Sequence, residues 1–250
     1  MVFSRSMVGG RLACALVAAV LTLGGAGAGA QSTIADQGTF DLSIQGIAAG
    51  TLSFAGNQAG KSYAVTGKLQ SGGLVGMLRK VRYDATAKGS VSGGRYTPSA
   101  YAETANTGKR QSESVMEYRG GVPQVKVYNP PREAGPDDVK PASQGGTVDP
   151  LTALYAVLRD VEAGQECAVD VPMFDGRRAS RLSLGQRQVS GDAVICAGEY
   201  RRVAGFSAED MAEKTRFPFV LTYAPASEGR MRVVEVSMDS LYGKARLQRR

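Results

Sequence analysis

CAVDVPMFDGRRASRLSL, residues Cys167 to Leu184, followed after a short connection by AVIC, residues Ala193 to Cys196, is the stretch on which the fold turns. Two extended runs meet at Asp175-Gly176, a dipeptide suited to a tight primed hairpin turn because both central residues of such a turn take positive φ. A second turn at Ser190-Gly191-Asp192 sends the chain back toward Cys196. Read this way, Cys167 and Cys196 bound a loop of 30 residues that contains three strands.

The start of the chain says where those cysteines work. Arg5 and Arg11 form a basic stretch ahead of an apolar run from Leu12 to Leu23, and Gly27-Ala28-Gly29-Ala30 supplies small residues for cleavage, so residues 1–30 read as an export signal cleaved near Ala30. A spanning helix needs roughly 20 apolar residues, more than this run holds. Cys14 lies at the beginning of the apolar run, not after it, which argues against a lipid-bearing cysteine. The expected location is the periplasm, with no transmembrane segment in the mature chain. There an exported protein left with two cysteines commonly pairs them, the alternative being two buried thiols. Closing a loop of this length stabilises by about 3.5 kcal/mol in the chain-entropy view.

Residues 31–250 are enough for one well-cored β-rich domain. The leader holds two of the 30 basic residues and none of the 23 acidic ones, so the remainder carries +5. That excess suits weak attraction to anionic lipid or lipopolysaccharide. Nucleic acid is not expected, because no basic run is interleaved with aromatics.

Working outward from the cysteines, apolar residues alternate in most segments. Phe40, Leu42 and Ile44 share one face; Gly46 to Gly50 reads as a corner, and Leu52 and Phe54 follow on a returning strand. Ser62–Leu69, the run around Tyr83, Ser112–Tyr118 and Val122–Tyr128 continue the series, with Pro123 marking an edge or a bulge. Gly72–Leu78 reads equally as a short helix or an apolar turn. Asn129–Thr147, with four prolines, reads as a mobile surface loop within a Pro/Gly-rich segment 129–148. Asp149 as cap and Pro150 at the first helical position open a helix over 149–160, with Leu151, Leu154, Tyr155 and Leu158 on one face and Gly164 as its stop. Strands are expected again at Glu199–Val203, Arg216–Tyr223, Arg230–Asp239 and Leu241–Leu247. The class is all-β with one short capping helix, a curved antiparallel sheet forming an open or spiral β-barrel. The last pair of strands echoes the first, an echo that chance alternation explains better than an internal repeat.

Several pieces together, GIAAG at Gly46–Gly50, SGGLVGML at Ser71–Leu78, VDPLTAL at Val148–Leu154, the CxVxVPMFDGRR run ending at Arg178, and ICAGEYRRVAGF at Ile195–Phe206, resemble the proteobacterial domain of unknown function family 3108. The resemblance runs from about Thr39 to Leu247. It implies a periplasmic location and a curved sheet or open barrel like those of lipoprotein carriers and other envelope-maintenance proteins.

The residue inventory removes much chemistry. With no histidine, Ser-His-Asp and Cys-His catalysis and any His-containing zinc site are excluded. There is no C-x-x-C pair and no phosphate-binding glycine loop. Asp170 and Asp175 lie five residues apart on the strand leading into the Asp-Gly turn, which Asp175 shapes. Glu209, Asp210 and Glu213 read as the acidic first turn of a short helix capped by Ser207. No catalytic residue, metal or cofactor is assigned. Arg177, Arg178, Arg181, Arg187, Arg201 and Arg202 admit two readings: a patch that meets lipid phosphates, or a solvated strand face. The expected function is that of a non-enzymatic periplasmic protein supporting envelope integrity by binding an apolar or amphiphilic envelope component on a curved sheet. The alternative is a structural module that binds peptidoglycan or an envelope protein partner through sheet edges and the Pro-rich loop.

Overall fold

A period of two in apolar residues buries one face of a strand, and the same face is buried along most of this chain: Phe40, Leu52 and Phe54, Tyr63 and Val65, then Phe217, Phe219, Leu221 and Tyr223. The computed structural model describes residues 33–250. They form strands β1 (Thr33–Ile44), β2 (Ile47–Ala59), β3 (Ser62–Ser71), β4 (Arg82–Ser92), β5 (Arg95–Asn106), β6 (Gln111–Arg119), β7 (Val122–Asn129), β8 (Val161–Glu162), β9 (Asp170–Phe174), β10 (Ala179–Ser190), β11 (Ala193–Ala204), β12 (Arg216–Pro225), β13 (Arg230–Ser240) and β14 (Gly243–Arg249). Helices α1 (Gly73–Leu78), α2 (Pro150–Leu158) and α3 (Ala208–Glu213) interrupt them. The export segment expected over residues 1–30 lies outside the described residues. No helix among the described residues is long and apolar enough to cross a membrane.

Thirteen strands make one antiparallel sheet in the order β7-β6-β5-β4-β3-β2-β1-β14-β13-β12-β11-β10-β9, and β8 adds to β13. Both arms are hairpin meanders, joined where β1 pairs with β14 from Phe40↔Arg249 to Ile44↔Ala245. The expected class, an all-β curved sheet in an open barrel, is the one found. The terminal strands β7 and β9 do not pair with each other. The segment before α2 occupies the gap between them: Gly146 N–H donates to Gly121 O (2.9 Å), Val148 N–H to Pro172 O (2.9 Å), and Phe174 N–H to Val148 O (2.9 Å). The Pro-rich loop is therefore tied down along the seam, not a free surface loop. Asp138 adds to this by accepting from Arg177 Nη2 at 2.8 Å.

Helix α2 lies inside the curve. Asp149 caps it as expected, Oδ1 accepting from Thr152 N–H at 2.8 Å, and Pro150 takes the first turn. Seven of its nine residues are buried, including Thr152, Ala153 and Ala156. It is thus a plug within the sheet, with only Pro150 and Leu154 partly exposed. The sheet makes room with glycines: a Cβ at Gly56 would lie 2.6 Å from the Tyr155 ring, and one at Gly67 2.5 Å from Leu151. The helix ends with Arg159 in extended conformation, not at Gly164. The reason is Asp160, whose carboxylate receives Arg232 Nη2 at 2.6 Å and fixes the chain there. Tyr155 Oη donates to Asp36 at 3.0 Å, and Arg230 pairs with the same carboxylate at 3.1 Å.

Other expectations shift locally. Gly72–Leu78 resolves as a helix, α1. The first corner narrows to Gln45-Gly46, both at positive φ, with β2 already extended from Ile47. Leu241 and Tyr242 form the β13–β14 turn, so the last strand begins at Gly243. Asp175-Gly176 is not a two-residue primed turn, because Phe174 pairs with Ala179 and four residues intervene. The Asp175 carboxylate shapes that turn, accepting from Arg177 and Arg178 N–H at 2.9 and 2.7 Å.

Candidate functional site

Cys167 and Cys196 are bonded, with Cα atoms 5.5 Å apart. The bridge joins the approach to β9 with β11 across β10, the three-strand unit that the cysteine spacing marks out.

The plug does not fill the barrel. Beyond α2 the inward side chains line an open cavity of about 660 Å³, formed by Leu42, Leu52 and Leu69 from β1 to β3, Leu182 and Tyr200 from β10 and β11, Phe217, Phe219 and Leu221 from β12, Val236 and Met238 from β13, and Leu247 from β14. Leu154, Val157 and Leu158 of α2 form its floor. Leu154, the helix's least covered leucine, points into this space where the expected stripe would have it in the core. The volume lies within the roughly 300–1,000 Å³ of small-molecule sites, and the lining has the apolar character that such sites show. A depression of about 720 Å³ over β1–β6 is lined instead by small and polar residues such as Ala35, Ala55, Thr66 and Thr86.

Polar groups converge at the mouth. Phe206 sits between two guanidinium groups, Arg178 at 5.0 Å and Arg202 at 5.2 Å from the ring centroid. Arg202 is held by its own neighbourhood, donating to Lys214 O at 2.9 Å and facing Asp210 and Glu213 at 3.7 and 4.0 Å. Arg178 makes no ion pair among the described residues, and its buried Nε has no hydrogen-bond partner. A cation without a carboxylate on the rim of an apolar cavity is suited to the anionic head of an amphiphile.

The six arginines singled out in the sequence do not share one surface. Arg178 and Arg202 line the cavity. Arg177 is paired with Asp138, Arg181 with Asp170, and Arg187 with the buried Glu166. Arg181 and Arg201 face each other across β10 and β11, on the side opposite Leu182 and Tyr200. Sequence reasoning missed the Leu and Phe lining of the cavity, since alternation marks inward residues without saying what they touch. Among the described residues no group of three His, Cys, Asp or Glu stands ready for a metal ion.

Residues 39–241 match the family model described as protein of unknown function DUF3108. No curated protein matches the chain. Among solved structures the fold is similar to a β-barrel-like protein of the domain of unknown function DUF1849 from Brucella abortus, at 12% identity and a TM-score of 0.50, covering 87% of this chain and 96% of that one. At that identity the likeness concerns the fold alone.

Proposed function

Starting from the fact that the chain belongs to the DUF3108 family, proteins of unknown function, we propose that it is a non-enzymatic periplasmic protein of a proteobacterium. In this reading it supports cell-envelope integrity by holding an apolar or amphiphilic envelope component. The observation that carries the reading is the cavity of about 660 Å³ between α2 and the inner faces of β1–β3 and β10–β14. Most of its wall is leucine, phenylalanine, valine and methionine, with Arg178, Arg202 and Arg246 among the remainder, so burial of acyl methylenes drives binding at roughly 0.8 kcal/mol each. Arg178 supplies the polar contact for the head. The export signal read in residues 1–30 supports the location, and the absence of histidine from the sequence supports a binding role over nucleophilic catalysis.

The alternative, docking of a partner or of peptidoglycan through sheet edges and the Pro-rich loop, is disfavoured by the seam. The loop's backbone groups at Gly146 and Val148 are already bonded to Gly121 and Pro172. The test is direct. Protein purified from the envelope is extracted with organic solvent for mass spectrometry of lipids, and the stripped protein is titrated with a fluorescent fatty-acyl probe. A stoichiometric amphiphile and saturable probe binding are expected. Failure of both rejects the ligand.

A further inference from the structure

Six large apolar side chains stand exposed at the end of the barrel where the cavity opens. They are Ile47 (50% exposed), Leu74 (63%), Met77 (83%), Leu78 (90%), Leu241 (43%) and Tyr242 (75%). They belong to three connections that hydrogen bonds hold side by side. Gln45, in the β1–β2 turn, donates its N–H to Lys244 O at 2.8 Å and its side-chain amide to Tyr242 O at 2.9 Å. On the other side Gly72 N–H donates to Ala49 O at 2.9 Å, which sets α1 against the start of β2. Helix α1, made only of Gly, Leu, Val and Met, has no buried residue. So short a helix gains little from its own hydrogen bonds, and a continuous apolar surface of this kind marks an interaction site.

Charge selects the partner. The connections 45–49, 72–81 and 241–244 contain Arg79, Lys80 and Lys244 and no aspartate or glutamate, and the exposed Asp239 opposite Lys244 in the β13–β14 register leaves this group net positive. Pairing with a second copy through this face would bring those like charges together. An anionic lipid surface attracts each of them, and a tyrosine such as Tyr242 is suited to the headgroup level. Leu241 and Tyr242 also line the cavity mouth, so the exposed patch and the cavity are continuous. We propose that this end of the barrel docks on an anionic bilayer, with Leu74, Met77, Leu78 and Tyr242 entering the headgroup–acyl boundary and Arg79, Lys80 and Lys244 meeting lipid phosphates. The contact does not require the cavity to be filled.

The chain has no tryptophan, so Leu78→Trp installs a single reporter and Val220→Trp, on the sheet's outer face, a remote control. Each protein is expressed as the full-length chain, purified in processed form and titrated with phosphatidylglycerol vesicles, phosphatidylcholine vesicles, and phosphatidylglycerol vesicles carrying acyl-brominated lipid. The Leu78→Trp emission is expected to shift to the blue and be quenched by bromine on the anionic vesicles, while Val220→Trp stays unchanged. Adding Met77→Asp should lower partition at least about tenfold, the equivalent of losing one buried apolar side chain and adding a charge. Leu74→Trp provides the same readout should Leu78→Trp fail to fold. An unmoved emission for both reporters at millimolar anionic lipid overturns the proposal. So does equal binding to phosphatidylcholine, or a blue shift that grows with protein concentration in the absence of vesicles, which would assign the face to a second copy.

Discussion

Asp149 is fully buried, and its carboxylate is the pivot of the plug: Oδ1 accepts from Thr152 N–H at 2.8 Å and Oδ2 from Thr152 Oγ1 at 2.7 Å, while Thr152 Oγ1 also meets Tyr63 Oη at 2.8 Å. Burial pushes its pKa up from 3.8 to about 6, the hydrogen bonds from Thr152 opposing only part of that cost. A carboxyl group whose folded pKa is raised stabilises the fold below its unfolded pKa and loses that contribution as pH rises through the folded value. Stability from this residue is therefore present below about 4 and lost by about pH 7. Asp149→Asn keeps the cap oxygen and presents an amide N–H to Thr152 Oγ1, which can in turn donate to Tyr63, so the network survives without the charge. The stability of Asp149→Asn relative to wild type should rise by about 2.5 kcal/mol between pH 4 and pH 7.5, from a shift of about two units at 1.36 kcal/mol each. Urea unfolding followed by circular dichroism across that range measures it. The other carboxylates cancel in the difference. A difference that is flat with pH, or one that falls, would refute the claim that α2 is capped by a buried, desolvated charge.

Three further outcomes follow from the same geometry. Replacing Cys167 and Cys196 by serine should lower stability by about 3.5 kcal/mol, the loop-closure value for their spacing, and an unchanged urea midpoint would rule out a stabilising bridge. Gly56→Ala and Gly67→Ala each press a methyl group into α2 through Tyr155 and Leu151, so each should cost about 1–3 kcal/mol; neutrality of both would mean the helix does not sit on these strands. Arg178→Glu should weaken an anionic fatty-acyl probe by about tenfold or more, a charge-assisted bond being worth about 1.5–3 kcal/mol, while leaving a fatty-alcohol probe unaffected. Equal loss for both probes would remove Arg178 as the head contact.

Alternation in Phe40–Ile44, Leu52–Phe54 and Arg216–Tyr223 made the strands legible, because a period of two has no other physical use. Asp149-Pro150 announced the helix for the same kind of reason: cap and first-turn proline act locally. The burial of its other face was not legible, since Thr152 looks like a solvent-facing residue until Tyr63 is seen to meet it, and the apolar spacing that put Tyr155 inward did not show Asp36 as its partner. The helix stop depended on Asp160 meeting Arg232 from a strand 72 residues away, a contact that no local signal contains. Composition identified 129–148 as loop but not as seam, because what ties Val148 down is Pro172 and Phe174 of β9. Arg177 and Arg178 are identical neighbours in sequence; only one has Asp138 beside it.

Why the barrel is hollow at one end is a matter of lengths and anchors. A nine-residue helix spans about 13 Å, whereas strands of ten to thirteen residues such as β1, β2 and β12 run to about 33–43 Å. The plug must leave part of the interior uncovered, and the inward residues there are Leu52, Leu69, Phe219 and Leu247. Apolar packing alone would let α2 slide toward them. Polar anchors at its two ends oppose that movement: Asp149 with Thr152 and Tyr63 at the start, Asp160 with Arg232 at the finish. Buried polar groups are costly to leave unpaired, so moving the helix by one turn would break both sets at once. The depth of the plug, and with it the volume left for a ligand, is thus set by hydrogen-bonded pairs that lie outside the cavity itself.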